Sequence, residues 1–221
     1  MNAALPFLVI VMSYLIGSIP FSFIVARLKT GTDIRRQGSH NVGATNVLRT
    51  AGRTAGFLAL LLDLSKGYAA VALARWIVFQ PSWPIEAALT GGPLQSREFW
   101  IALAGLVAIL GHMYPVWLHF EGGKGVATAT GVFLALGPIV IAGAAIVFAI
   151  VLITTRFVSL ASMFAAASVP LLFHFLMPGA PLWRGVVSIL IAIIVILKHH
   201  SNIERLANGT ERRIGEGRNP D

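Results

Sequence analysis

Gly111-His-Met-Tyr-Pro-Val-Trp-Leu-His-Phe-Glu-Gly-Gly-Lys-Gly-Val-Ala-Thr128 lies between two long apolar runs and breaks them with histidine, glutamate, lysine and closely spaced glycines. Apolar helix, glycine-bearing break, apolar helix is the pattern of a membrane protein that keeps its chemistry in its connections. Three glycines around Lys124 let the backbone approach a ligand closely, and the run that follows reads as a helix whose first free N–H groups point back at them. Gly122, Gly123, Lys124 and Gly125 thus describe an anion seat. The alternative is a glycine-rich turn with a lysine snorkelling at the membrane surface. It is not a Walker A loop, because Gly125 follows the lysine and Leu118 stands where the first glycine belongs.

Outward from this stretch, the composition is that of a membrane protein. Apolar residues make up 56% and charged residues 12% of the 221 residues, and the mean hydropathy is +0.78. Several apolar runs approach the length that spans a bilayer, so an all-α integral membrane protein is expected, a compact bundle of about seven transmembrane helices in one domain. Lys and Arg outnumber Asp and Glu 17 to 9, but they collect in short loops at span ends, as the positive-inside rule requires, rather than in a nucleic-acid-binding patch. There is no cysteine, which excludes disulfides, a thiolate metal site and an acyl-cysteine intermediate.

The first span is expected over 5–26, softened by Gly17, Ser18 and Pro20, with no basic residue before it; a cleaved signal peptide would want a basic start and a shorter core. Basic residues follow at Arg27, Lys29, Arg35, Arg36, Arg49 and Arg53, which places the N-terminus outside and the 27–55 loop in the cytoplasm. In that loop Asn46 and Arg49 are three apart and share a helical face, so an amide and a guanidinium can meet one phosphate; ordinary capping by Thr45 or Asn46, with Arg49 as solvated charge, explains the spacing equally well. The second span, 56–79, holds Asp63 and Lys66, also three apart. In hydrocarbon they should face the interior and pair, as a brace more than as a proton relay. Residues 80–98 form an outside loop, 99–119 a third span, and the 119–125 loop returns beside the first.

Residues 126–155 would be roughly 45 Å as one helix, beyond a hydrocarbon thickness of roughly 30 Å. Gly137-Pro138 suggests two short crossings, 125–136 and 139–155, with one long tilted helix as the alternative. Spans at 158–177 and 182–197 complete the bundle, a short loop at 155–158 carries Arg156, and the basic tail 198–221 puts the C-terminus in the cytoplasm. If the last helix continues, His199 and Asn202 share a face, Ile203 and Leu206 pack the other, and Asn208-Gly209 stops it.

Taken together, Gly17-Ser18-Ile19-Pro20, Asp33-Ile-Arg35, Gly38-Ser39, Asn41-Val-Gly-Ala-Thr-Asn46 with Arg49, Gly111-His-Met-Tyr-Pro115, Gly122-Gly-Lys-Gly-Val-Ala-Thr128, Arg156 with Ser159-Leu160, and His199, Asn202, Arg205-Leu206, Gly209 and Glu211 resemble the bacterial acyl-phosphate:glycerol-3-phosphate acyltransferases over nearly the whole chain. The resemblance implies an inner-membrane enzyme of phospholipid synthesis. It would transfer a fatty acyl group from acyl-phosphate to the 1-hydroxyl of sn-glycerol 3-phosphate, giving lysophosphatidic acid, with three cytoplasmic motifs forming the site and membrane lipids around it.

By the same resemblance Ser39, Asn41, Thr45, Asn46 and Arg49 bind glycerol 3-phosphate, and Gly122, Gly123, Lys124, Gly125 and Thr128 bind acyl-phosphate. His199, Asn202, Lys124 and Ser39 carry the reaction, while Asp63, Lys66, Arg156 and Glu211 are structural. Other acyl-transfer machinery is missing: no His is followed five residues later by Asp, and there is no Gly-x-Ser-x-Gly elbow. Six histidines and nine acids form no metal-ligand pattern, and no cofactor is expected. The competing reading is a small membrane anion transporter, against which stand the absence of clear internal repeats and the gathering of polar residues on one side.

Overall fold

The computed structural model describes residues 4–83 and 96–215, and among these the regular structure is helical throughout. The outside loop expected over 80–98 therefore falls largely on residues 84–95, outside the described residues, as does the end of the tail. In chain order the helices are α1 (Ala4–Ser18), α2 (Phe21–Thr30), α3 (Ala44–Ala51), α4 (Arg53–Val78), α5 (Arg97–Met113), α6 (Val126–Leu136), α7 (Pro138–Thr155), α8 (Val158–Leu176), α9 (Leu182–Lys198) and α10 (His200–Ala207). Short 3₁₀ turns stand at Ile34–Arg36 and Val116–Leu118.

Five segments are long and apolar enough to cross a membrane: α1 with α2 as Ala4–Thr30, α4, α5 through Leu118, α7 and α8; α9 with α10 makes a sixth if that bent pair counts as one span. The seventh apolar segment, α6, has 11 residues and is roughly 16 Å long, about half the hydrocarbon thickness. Gly137 and Pro138 do end it: Pro138 takes the first position of α7, where its missing N–H is harmless. The carbonyls this leaves open are met by arginines from other helices, Arg75 donating to Ala135 (3.2 Å) and Arg184 to Leu136 (2.8 Å), with Arg184 also paired to Glu98 (3.0 Å).

Small residues let the inner helices touch backbone to backbone, as helices do where lipid gives no hydrophobic drive for association. A Cβ at Gly67 on α4 would overlap the Thr128 carbonyl of α6, and one at Gly131 would overlap the Leu64 carbonyl in return. The main apolar core lies between α4, α5, α6, α7, α8 and α9, with Val71, Ile101, Ile109, Val132, Val140, Val169, Ile191 and Val195 all buried.

At the far end of the chain helix continues past Lys198, but with a bend of 56° at His199 that separates α9 from α10. Gly209, with φ of +69°, then turns the tail back, close after the expected stop at Asn208-Gly209.

Candidate active site

Three segments meet at one end of the bundle. The first is the loop before α3. Asp33 opens its 3₁₀ turn by accepting from the Arg35 N–H (2.9 Å) and pairs with the Arg35 guanidinium (2.8 Å), which also reaches Glu121 (3.3 Å) in the glycine loop. Asn46 is not the cap of α3, because Gly43 is. Buried instead, it staples the loop: its Oδ1 accepts from the Ser39 N–H (3.0 Å) and its Nδ2 donates toward the carbonyls of Ile34, Gln37 and Asn41 (3.0–3.2 Å). With its amide so occupied, Asn46 holds Ser39, Asn41, Thr45 and Arg49 around the cavity rather than offering a free ligand group itself. His40, at φ of +57°, turns its ring to the Arg35 carbonyl (2.9 Å), away from any partnership with Ser39.

The second segment is the glycine loop, and it is built differently from the expected seat. The N–H groups of Gly122 and Gly123 donate to the Met113 and His112 carbonyls at the end of α5 (3.2 Å each). Both glycines line a small chamber beneath the site instead of the main cavity. Thr128 is displaced too: it is fully buried at the α4–α6 contact, where its hydroxyl has no hydrogen-bond partner among the described residues, and it does not line the cavity. In this stretch the backbone N–H groups of Lys124, Gly125, Val126, Ala127 and Thr128, at and just before the α6 N-terminus, have no acceptor among the described residues. The donors that could face an anion are therefore those at the start of α6, with Lys124 beside them.

The third segment is the α9–α10 corner and the tail. His199 is buried and sets its Nδ1 against the Val195 carbonyl (2.7 Å); a carbonyl only accepts, so the proton sits on Nδ1 and Nε2 keeps its lone pair. Burial pushes this imidazole down to about 4. Asn202 accepts from the Lys124 ammonium through Oδ1 and donates to Glu211 (2.8 Å). Glu211 also accepts from Ser159 (2.8 Å) and Arg205 (2.7 Å), and although burial opposes ionisation these three donors hold its carboxyl below the usual range. Arg156, at φ of +62°, ties down the tail by exchanging two hydrogen bonds with Ile214 (2.8 and 2.9 Å).

These segments enclose a cavity of about 490 Å³. Its lining includes the cationic side chains of Arg49, Lys124, Arg205 and Arg212 and the apolar ones of Leu60, Val126, Phe148 and Val158. Burial, then the nearby Arg205, lowers the Lys124 ammonium to about 8. Val126 and Ser162 are shared with an apolar crevice of about 50 Å³ that runs between α6, α7, α8 and α9 past Phe133, Ile141 and Ile191. The sequence assigns no role to Arg205 or Arg212, though Arg205 belongs to the matching motif and stands three residues past Asn202 on the same helical face.

Residues 7–209 match the family model for glycerol-3-phosphate acyltransferase. The chain belongs to the glycerol-3-phosphate acyltransferase family. A glycerol-3-phosphate acyltransferase of Geobacter sulfurreducens is 45% identical over 202 residues, covering 91% of this chain and 94% of the relative, and one of Staphylococcus aureus is 42% identical over 209 residues, covering 93% and 96%. Two crystal structures of PlsY (YgiH), an integral membrane glycerol 3-phosphate acyltransferase, share the fold. Its glycerol 3-phosphate form superposes with a TM-score of 0.81 at 38% identity (95% of this chain, 96% of that one), and its lysophosphatidic acid form with 0.78 at 37% (95% of each). The protein is thus a multi-pass membrane acyltransferase that acylates glycerol 3-phosphate, and in this acyltransferase the cationic cavity is the candidate site for that reaction.

Proposed function

We propose that the acyl donor is a fatty acyl-phosphate, that the acceptor is the 1-hydroxyl of sn-glycerol 3-phosphate, and that the products are lysophosphatidic acid and inorganic phosphate. The observation that carries this reading is that one cavity is lined by four cationic side chains and a helix N-terminus as well as by apolar side chains, and shares Val126 and Ser162 with an apolar crevice. Two phosphate groups fit the first part and an acyl chain the second. The α6 N-terminus and Lys124 take the donor phosphate; Ser39, Asn41, Thr45 and Arg49 take the acceptor.

Transfer is direct. The acceptor oxygen attacks the acyl carbonyl, the bond from that carbon to the phosphate oxygen breaks, and the phosphate leaves with the electron pair. Asn202 and Lys124 stand where charge develops on the carbonyl oxygen. The hydroxyl proton has two acceptors in reach of such a geometry, His199 Nε2 and a phosphate oxygen. With its imidazole at about 4, His199 is the weaker base against a phosphate whose second pKa is near 6, so the proton goes to phosphate.

The test is purified protein with glycerol 3-phosphate and either acyl-phosphate or acyl-coenzyme A, assayed for lysophosphatidate. Product is expected from acyl-phosphate alone, since a thioester presents no phosphate at the acyl carbon to the α6 N-terminus; equal rates from both donors would defeat the assignment. His199→Asn should lower kcat by less than about 10²-fold, whereas a protein base of full effect contributes about 10²–10⁴.

The site belongs, in this reading, on the cytoplasmic side of the bacterial inner membrane, supported by the concentration of Lys and Arg in the loops that form it. The chain lacks cysteine, so single cysteines at Ser39, Glu121 and Asn208, all exposed, can be labelled one at a time. Impermeant thiol reagents should reach all three from the cytoplasm and none from outside; labelling of any one from outside rejects this orientation.

A further inference from the structure

Beneath the glycine loop lies a buried polar cluster that the reaction leaves without a role. Asp63 pairs with Lys66 at 2.8 Å, both side chains 2% exposed or less; Ser22 donates to Asp63, and Lys66 donates to the Ile19 carbonyl at the α1–α2 break (2.7 Å). Onto this fixed anchor His112, in the last turn of α5, lays its ring: Nδ1 stands 3.6 Å from Asp63 Oδ1. The opposite edge of the ring presses on the loop. A Cβ added to Gly123 would overlap His112 Nε2, and the Gly123 N–H is held by the His112 carbonyl (3.2 Å). The imidazole lines both the small chamber and the main cavity. The residue after Gly123 is Lys124, whose ammonium reaches Asn202.

We propose that His112 is a positioning residue for acyl transfer: its imidazole is a wedge between the Asp63–Lys66 pair and Gly123, and its thickness sets the height of the loop and the aim of Lys124 into the cavity. The proposal rests on reading Lys124 as the contact to the donor phosphate. Glycine is required at 123 because the ring fills the space a side chain would take. The anchor below is tied to α2 through Ser22 and to the α1–α2 break through Ile19, so a change in ring volume passes to the loop.

The charged and titratable groups around Lys124 are Arg205, Glu211, Arg49 and His199. With its ordinary value lowered to about 8, the Lys124 ammonium is present below that pH and lost as pH rises through it, giving kcat/KM an alkaline limb near pH 8. Removing the imidazole admits water to the chamber and uncovers the Asp63 carboxylate to the loop. Both favour the ammonium, so the limb moves up.

The experiment compares His112→Ala, His112→Asn and His112→Gln with the wild type as folded, detergent-purified proteins, measuring kcat, KM for each substrate and the pH profile. Expected for Ala and Asn are a fall in kcat of about 10–10²-fold, in line with a misplacement of about 1 Å, and an alkaline limb displaced upward by about half a pH unit or more. Gln, which reaches as far as the ring, should recover most of the rate. A purely structural role would lower the folded yield and leave the limb of the surviving molecules in place. Wild-type kcat and limb in folded His112→Ala overturn the proposal; if Ala does not fold, the same result in His112→Asn does so. Wild-type protein that makes no lysophosphatidate from acyl-phosphate would instead defeat the functional reading beneath it.

Discussion

Lys124→Ala is expected to lower kcat by on the order of 10³-fold, the scale on which one preorganised donor to developing charge acts. The Tm of the purified protein should stay within about 4 °C of the wild type, a change of about 1 kcal/mol in a chain of this size. The two effects separate because of what the side chain touches. Its recorded partner is Asn202 Oδ1, and Asn202 stays fixed through Glu211, so the substitution releases no other group from its place. What is lost is the cation beside the α6 N-terminus, in a cavity where burial strengthens its field. Lys124→Arg should recover only part of the rate, since the planar guanidinium does not fit a point-charge position against Asn202. Near-wild-type turnover in Lys124→Ala with both substrates saturating would remove the anion seat from the mechanism.

Lys66→Ala acts in the opposite sense, on the fold and only through it on the rate. It leaves the Asp63 carboxylate, 1% exposed, without its closest cation, and stranding one partner of a buried ion pair costs about 3–5 kcal/mol. At about 2–4 °C per kcal/mol for 150–250 residues, the thermal transition in detergent should fall by roughly 10 °C, with lower yield. The double variant Asp63→Asn with Lys66→Met removes both charges and should regain much of that loss, because a neutral pair of similar volume carries no such penalty. A Tm unchanged in Lys66→Ala would mean that His112 and Ser22 alone satisfy Asp63.

What the sequence makes legible here is local. Apolar run length and the placement of Lys and Arg give the all-helical membrane class, Gly137-Pro138 marks the end of α6, and the three-residue spacing of Asp63 and Lys66 marks their pairing. The missed features are those whose causes lie far along the chain. Gly122 and Gly123 look free to cradle an anion until α5, ten residues earlier, is seen to consume their N–H groups. Asn46 looks like a ligand or cap until the backbone of residues 34–41 is wrapped around its amide. Ser22 and His112 stand 41 and 49 residues from Asp63, beyond any periodicity. The bend at His199 carries neither proline nor glycine to announce it; its helical neighbours follow from packing against the site.

The short α6 bears on how the enzyme tolerates its surroundings. Membranes differ in thickness, and a long helix meets the mismatch by tilting. The short α6 is instead held at both ends by protein, with Lys124 beside its N-terminus and Arg75 and Arg184 on the carbonyls of Ala135 and Leu136 at its end. With the site as proposed, the level at which the acyl carbonyl meets the acceptor is gauged against protein rather than lipid, and changes in fatty-acid composition should leave it unaltered.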